Sequence, residues 1–336
     1  MPSSILDILK VKSFKEAEIM LQEQLSPQIL NQLLDVVCLT IGNSIEDHLS
    51  SLILDIIYNQ PLTDEQQLNI LAIKDYNITD AFFQHHRDNR SLSLTFINRI
   101  IHDDSLLWVL EDFIMYYPVS QSNISLILRK IDQDNPNLDF IYNLTSTQAL
   151  NEENILYLLT NFESEKRTIQ KFLIGNQPLS DEFIEQMISD QELRIKIIES
   201  QHLDDKWIKF FFNNIEYEEH YYNLLVHQSF SESMIDFLFN LGRDSLLYSL
   251  VRLQPLVTRH KIQALESSYD SVVQGVFIYQ RFSNVEEKII KSQFPEYLDL
   301  LKKHPRPDPL IDVNSNKRMK RDLVLKQKRT ILLSEK

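Results

Sequence analysis

The chain has 336 residues, 43% of them apolar, with only 4 glycines, 1 cysteine and a net charge of −14. So sparse a glycine set cannot build a Gly-rich phosphate cradle, which excludes dinucleotide-binding, P-loop and G-x-S-x-G readings at the level of motif. A lone cysteine excludes an intramolecular disulfide and suits a reducing compartment, and no uninterrupted apolar run is long enough to cross a membrane.

In chain order, the first predicted element is an amphipathic helix within residues 3–23, carried by Ile5, Leu6, Ile8, Leu9, Phe14, Ala17, Ile19, Met20 and Leu21. It is expected to form an N-terminal helical cap over 1–24. The opening Met1-Pro2-Ser3-Ser4 lacks the basic start and long apolar run of a signal peptide. From residue 25 a phrase recurs: a large apolar residue, a helix-capping residue, then a helical apolar pattern. The apolar residue falls at Leu25, Leu62, Leu92, Val119, Leu150, Leu179, Leu203, Phe230, Leu256 and Phe282. Nine of the ten residues that follow it can accept a hydrogen bond at a helix start, Val257 being the exception. Eight positions after it stand Leu33, Ile70, Ile100, Ile127, Leu158, Met187, Phe211, Leu238, Ala264 and Ile290, an inward stripe two turns into each helix. A second helical stretch follows in each repeat, with apolar pairs such as Ile197-Ile198, Leu224-Leu225, Leu250-Val251 and Val276-Phe277 near its end. Neither helix can bury its apolar face alone, so stacking is required.

Two residues before the phrase, seven of ten positions are glutamine: Gln60, Gln148, Gln177, Gln201, Gln228, Gln254 and Gln280. The chain has only 23 glutamines, so chance would place fewer than one there. An amide offers both donor and acceptor where helix ends leave carbonyls and N–H groups over. These residues are therefore expected to tie one inter-helix turn to the next, with a ligand-lining role as the alternative. The fold expected is all-α: a solenoid of about ten two-helix repeats over 25–301, forming one elongated domain.

The segment Asn176-Gln177-Pro178-Leu179-Ser180-Asp181-Glu182-Phe183-Ile184-Glu185 resembles the Gln-x-Leu-Ser-x-x-Phe-Ile phrase of short two-helix repeats found in viral and microbial proteins. It is also similar to leucine-rich-variant and HEAT-like solenoids. The resemblance is strong in this repeat and thins to the bare apolar-plus-cap pattern elsewhere. It implies a scaffold with binding surfaces rather than one reaction.

Alternate prolines at Pro305, Pro307 and Pro309 end the helical pattern and open a basic tail over 302–336. That tail holds eleven Lys or Arg against four Asp or Glu, a net of +7, so the chain's −14 leaves −21 for residues 1–301. The acidic body repels phosphate backbones and attracts basic partners. In the tail, Lys317, Arg318, Lys320 and Arg321 form a cluster read as a targeting or docking element, with a solvated tail as the bland alternative. Among aromatic residues, Tyr217, Tyr221 and Tyr222, close to Glu218, Glu219 and His220, are candidate anchors for a partner bearing Lys or Arg. His85-His86 and His102-Asp103-Asp104 lack metal-ligand spacing and read as exposed helix-end residues, Cys38 as a buried thiol, and Asp204-Asp205 as a helix cap with first-turn charge.

No catalytic residue, metal or cofactor is assigned. The function expected is a non-enzymatic, intracellular interaction scaffold or adaptor, cytoplasmic or nuclear, that binds a protein partner along an acidic repeat surface without membrane contact. Two alternatives stay open: an enzyme or enzyme-accessory subunit on a helical-repeat frame, and nucleic-acid association through the tail.

Overall fold

The computed structural model describes residues 24–41, 47–89, 92–214 and 220–304. Among the described residues there are 20 α-helices and no strand. They form ten pairs, in which odd-numbered helices follow the recurring phrase and even-numbered helices precede the next copy. In chain order these are α1 (Pro27–Ile41), α2 (Asp47–Asn59), α3 (Asp64–Leu71), α4 (Tyr76–Asn89), α5 (Leu94–His102), α6 (Leu110–Tyr116), α7 (Gln121–Arg129), α8 (Leu138–Thr147), α9 (Glu152–Asn161) and α10 (Lys166–Asn176). They continue as α11 (Asp181–Met187), α12 (Gln191–Ser200), α13 (Asp205–Asn213), α14 (Tyr221–His227), α15 (Glu232–Leu241), α16 (Asp244–Leu253), α17 (Thr258–Leu265), α18 (Asp270–Tyr279), α19 (Asn284–Gln293) and α20 (Leu298–Lys303). The N-terminal cap, Tyr217, the side chain of Cys38 and the tail beyond residue 304 lie outside the described residues.

The chain divides into two compact units, residues 1–165 and 166–336, with the division inside the fifth helix pair. In the first unit the even helices α2, α4, α6 and α8 stack on one another in sequence, and α7 packs against both α5 and α9. In the second, α10, α12, α14, α16 and α18 stack in the same manner, with α11 to α17 each packed on its own partner. Every helix is thus short, and what holds it is its neighbour in the stack.

The repeat register explains the core. All ten residues at the eighth position of the phrase, Leu33 through Ile290, are at most 1% exposed. The apolar pairs on the even helices of the second unit are equally buried. The caps follow the sequence closely. Thr63, Ser93, Ser120, Asn151, Asp204, Ser231 and Ser283 each accept from the backbone N–H three residues on. Thr63 with Gln66 and Ser283 with Glu286 complete reciprocal capping boxes. Ser180 makes no side-chain cap bond, and Val257 can make none.

The recurrent glutamines are all buried, none more than 6% exposed. In the second unit each of Gln201, Gln228, Gln254 and Gln280 ends an even helix in extended backbone conformation and reaches back to the preceding turn. Gln228 shows the pattern in full. Its Oε1 accepts from Leu203 N at 3.0 Å, and its Nε2 donates to the carbonyls of Ile198 at 2.5 Å and Gln201 at 2.9 Å. Gln201 binds Leu179 N, Ile174 O and Gln177 O in the same way, and Gln280 binds Leu256 N, Val251 O and Gln254 O. Gln254 donates to Leu225 O and Gln228 O. In the first unit Gln148 clamps Val119 N, Ile114 O and Tyr117 O, and Gln60 accepts from Leu25 N at 2.9 Å. One side chain therefore satisfies two leftover carbonyls and one leftover N–H of the previous repeat.

One backbone position requires glycine, and a second brings glycine close to a ring. Gly242, at φ +62°, closes α15 in the left-handed region and lets α16 begin two residues later. Gly275 lies against the Tyr248 ring, where an added Cβ would stand 3.4 Å from two ring carbons.

Removing a clamp leaves three buried backbone groups without partners. Gln228→Ala is expected to cost about 2–4 kcal/mol in urea denaturation, and Gln228→Glu at least as much, because it loses the donor and buries a charge. Among the caps, Ser231→Ala should cost about 1 kcal/mol while Ser180→Ala stays within about 0.5 kcal/mol. Equal effects at the two serines would contradict the cap assignment.

Candidate functional site

The sequence places a polar residue five positions before the glutamine position that follows each even helix of the first unit, held there by Gln60, Arg90, Tyr117 and Gln148: Asp55, His85, Asp112 and Asn143. In the second unit the same position holds Phe172, Lys196, Asn223, Ser249 and Gly275. The members of this row are half-buried, except Asp112 and Gly275, which are buried. Its one buried member in the first unit is Asp112, in the first turn of α6, at 4% exposure.

Three carboxylates gather there. Asp80 comes from the second turn of α4, and Glu111 and Asp112 from the first turn of α6. Each outer carboxylate has one oxygen held. Tyr116, on α6, donates its hydroxyl to Asp80 Oδ1, and Asn143, on α8, donates Nδ2 to Glu111 Oε1 at 2.7 Å. Asp112 has no hydrogen-bond donor among the described residues. Tyr76, at the start of α4 and 67% exposed, stands at the edge of the group. The Arg87 guanidinium lies over the Tyr116 ring, 5.3 Å from its centroid.

The electrostatics follow from this crowding. Burial raises the Asp112 carboxyl to about 6, and the charges of Asp80 and Glu111 push the same way. The Tyr116 hydroxyl is pushed up to about 12, first by its bond to Asp80, then by burial and the charges of Asp80 and Asp112. The Tyr76 hydroxyl is raised above its ordinary value chiefly by the charge of Asp112, which puts its phenol in the field of that carboxylate.

Carboxylates in the second unit are treated differently. Asp181 accepts from the Trp207 indole at 2.6 Å and from Lys206, and it is held below the usual carboxylate range. Asp236 is lowered by its bond to His260 at 2.7 Å, then by Arg259. Burial alone would raise Glu286, but bonds from the Ser283 backbone, Lys261 and Thr258 outweigh it and bring the carboxyl to about 2. Each of these acids bridges two repeats with a donor in place. Asp112 has the burial without the donor.

The other sequence candidates are placed as follows. Tyr221 is buried, donates to Phe212 O at 2.9 Å and accepts from Arg243 at 2.7 Å, so it is a packing residue rather than a surface anchor. Tyr222 is 52% exposed on the same helix. His220 is buried and accepts from Arg194 Nε at 3.1 Å. His86 departs from the expectation of an exposed helix-end residue. It is buried against the Phe82 ring at 4.3 Å, and burial lowers its imidazole to about 4. Asp103 caps the turn over Asp104–Val109, Asp104 pairs with Lys130, and Asp204 caps α13. Among the described residues no group of three His, Cys, Asp or Glu side chains could hold a metal ion, and no helix is long and apolar enough to cross a membrane. Lys317, Arg318, Lys320 and Arg321 lie outside the described residues. The cluster at Asp112 was missed in the sequence, although the polar row at a fixed distance from the glutamine was readable.

No protein-family model matches the chain, and no curated protein matches it.

The two shifted acids give opposite pH signs. For Asp112 the folded state holds its proton more tightly than an unfolded chain with the ordinary value of 3.8, so stability falls as pH rises from there through about 6. Asp112→Asn should remove that loss, raising stability in neutral buffer by about 1–2 kcal/mol relative to wild type, with no gain near pH 4. For Glu286 the folded value near 2 lies below the ordinary 4.5, so its contribution is present above 4.5 and lost as pH falls toward 2. Glu286→Gln should therefore destabilise at neutral pH. Thermal melting of both variants across this range checks the pair, and matching signs would refute the assignment.

Proposed function

We propose that this protein is a non-enzymatic interaction protein that holds a basic segment of a protein partner on the even-helix face of its first unit. The observation that carries this reading is Asp112, a buried carboxylate without a donor, beside two further carboxylates. A folded chain tolerates such a group where an incoming cation supplies what the protein withholds. The surplus of −21 in residues 1–301 would draw a basic partner toward the body before contact. The scaffold suits the task, since stacked short helices repeat a surface while their turns are locked by the glutamines. A single cysteine fits work in a reducing compartment inside the cell.

The test is titration of the full chain with a peptide of mixed Lys and Arg content, followed by calorimetry at low and moderate salt. Binding is expected, weakening with salt, and the double variant Glu111→Gln/Asp112→Asn should weaken it by about tenfold or more, roughly 1.4 kcal/mol. An affinity unchanged in that folded double variant would remove this face from the reading.

A further inference from the structure

We infer that the groove between α7 and α9, in the first unit, binds a segment of a protein partner through one acidic side chain on Arg129 and an apolar neighbour on Leu156. This surface is separate from the carboxylates of α4 and α6, and it takes a group of the opposite charge.

The groove is built by the register of two odd helices. Gln121 donates to Ala149 O at 2.7 Å and accepts from Asn151 N at 2.9 Å, and one turn on Ser125 donates to Asn154 Oδ1 at 2.7 Å. These bonds set α7 and α9 side by side in one direction, so Arg129, a further turn along α7, comes level with the last turn of α9. Between them lies a cavity of about 260 Å³, lined among others by Arg129, Leu156, Tyr157, Asn161 and the buried Asn154. Sites that enclose a drug-sized molecule run from about 300 to 1,000 Å³, so this one suits a pair of side chains better than a whole ligand.

The lining leaves donors over at one end. Ser125 and Asn154 are committed to each other and to Gln121, and Thr160 to Leu156 O. Tyr157 accepts from Gln133 Nε2 at 3.2 Å, which leaves its own O–H. Asn161 gives one N–H to Tyr157 O at 2.9 Å and keeps the other. Arg129 has no ion-pair or hydrogen-bond partner among the described residues. Glu153, in the first turn of α9, lies toward the other end of the groove and makes no ion pair with it. A free guanidinium with two neutral donors in the same lining calls for an anion. Charge count then selects the class. The planar fork of one guanidinium matches the two oxygens of one carboxylate. A phosphate group carries close to two charges and is recognised by clusters of arginine, whereas here a single cation shares the lining with Glu153. A nucleic-acid strand needs a row of cations, which this groove lacks. Leu156, 54% exposed in the same lining, offers an apolar surface to the residue beside the acid.

The test uses the full chain and short peptides with blocked ends, alike except at one position before a leucine, which holds glutamate, glutamine or phosphoserine. An unblocked glutamine peptide supplies a terminal carboxylate, and glutarate a free one. Calorimetry in neutral low-salt buffer gives the affinities, and thermal melting establishes that the variants are folded. The glutamate peptide is expected to bind, and the blocked glutamine peptide about tenfold or more weakly. Arg129→Met should weaken the glutamate peptide by about tenfold, and Arg129→Lys by about threefold or more, because lysine keeps the charge and loses the fork. Leu156→Ser should weaken it by about fivefold. The double variant Glu111→Gln/Asp112→Asn should leave it unchanged, which separates this groove from the basic-segment site. Binding that Arg129→Met does not change would place the contact elsewhere and overturn the site. Tighter binding of the phosphoserine peptide would make a phosphate the ligand, and equal binding of the unblocked glutamine peptide would make it a chain terminus. Arg129-dependent capture of glutarate without the glutamate peptide would make it a free acid. Each of these three results overturns the assignment of an acidic side chain, and binding of none of the probes overturns the inference outright.

Discussion

A stack of short helices has a problem at every turn. Each helix of this chain is too short to be stable alone, and each ends with carbonyls and begins with N–H groups that have no partner within it. The glutamine clamp resolves both at once. Because Gln201, Gln228 and Gln280 each bind an N–H and two carbonyls of the turn before, the unsatisfied groups of one repeat become the attachment points of the next. The requirement is strict. Asparagine is too short to span the gap, glutamate lacks the donor, and lysine lacks the acceptor. This accounts for the same residue type recurring where the surrounding loops vary in length.

The clamp also determines what the rest of the repeat is free to do. The turns are tied from inside and the eighth-position residues fill the core, so the acids outside that register differ from unit to unit. The second unit uses its surface acids to bridge repeats, as Asp181 does to Trp207 and Lys206, and Asp236 to His260 and Arg259. Such pairs lower the carboxyl and contribute to cohesion. In the first unit Asp112 is crowded by acids of the same sign, which destabilises its charged form instead. A group that costs stability in the free protein is where a binding role has the clearest physical motive.

The architecture was largely legible in the sequence because its determinants are local and repeated. The cap, the eighth-position apolar residue and the glutamine lie within about ten residues of one another, and ten copies average out the exceptions. Ser180 is one such exception, a capping residue by type that makes no cap bond. The site was less legible because it is assembled across repeats. Asp80 and Asp112 are 32 positions apart in sequence, and nothing in either local pattern says that they face one another. Burial of individual polar residues was also beyond periodicity. Tyr221 and Tyr222 are adjacent and chemically identical, yet one packs under Arg243 and the other is half exposed. His86 likewise sits in a polar stretch and is nonetheless inside, against Phe82.

One departure from the repeat connects the two levels. The glutamine position is occupied by Arg90 after α4 and by Tyr117 after α6, the same two helices that carry Asp80, Glu111 and Asp112. At Tyr117 the turn is held in another way. Its carbonyl still accepts from Gln148, and its ring stacks on Phe113 with centroids 5.5 Å apart and meets Phe83 edge-on. Aromatic packing thus fills this turn where the amide is missing. A sequence that keeps one solution in most repeats and replaces it in two neighbours is answering a local demand that the repeat alone does not impose. The acidic cluster lies on those two helices, so the change of clamp and the donorless carboxylate mark the same part of the first unit.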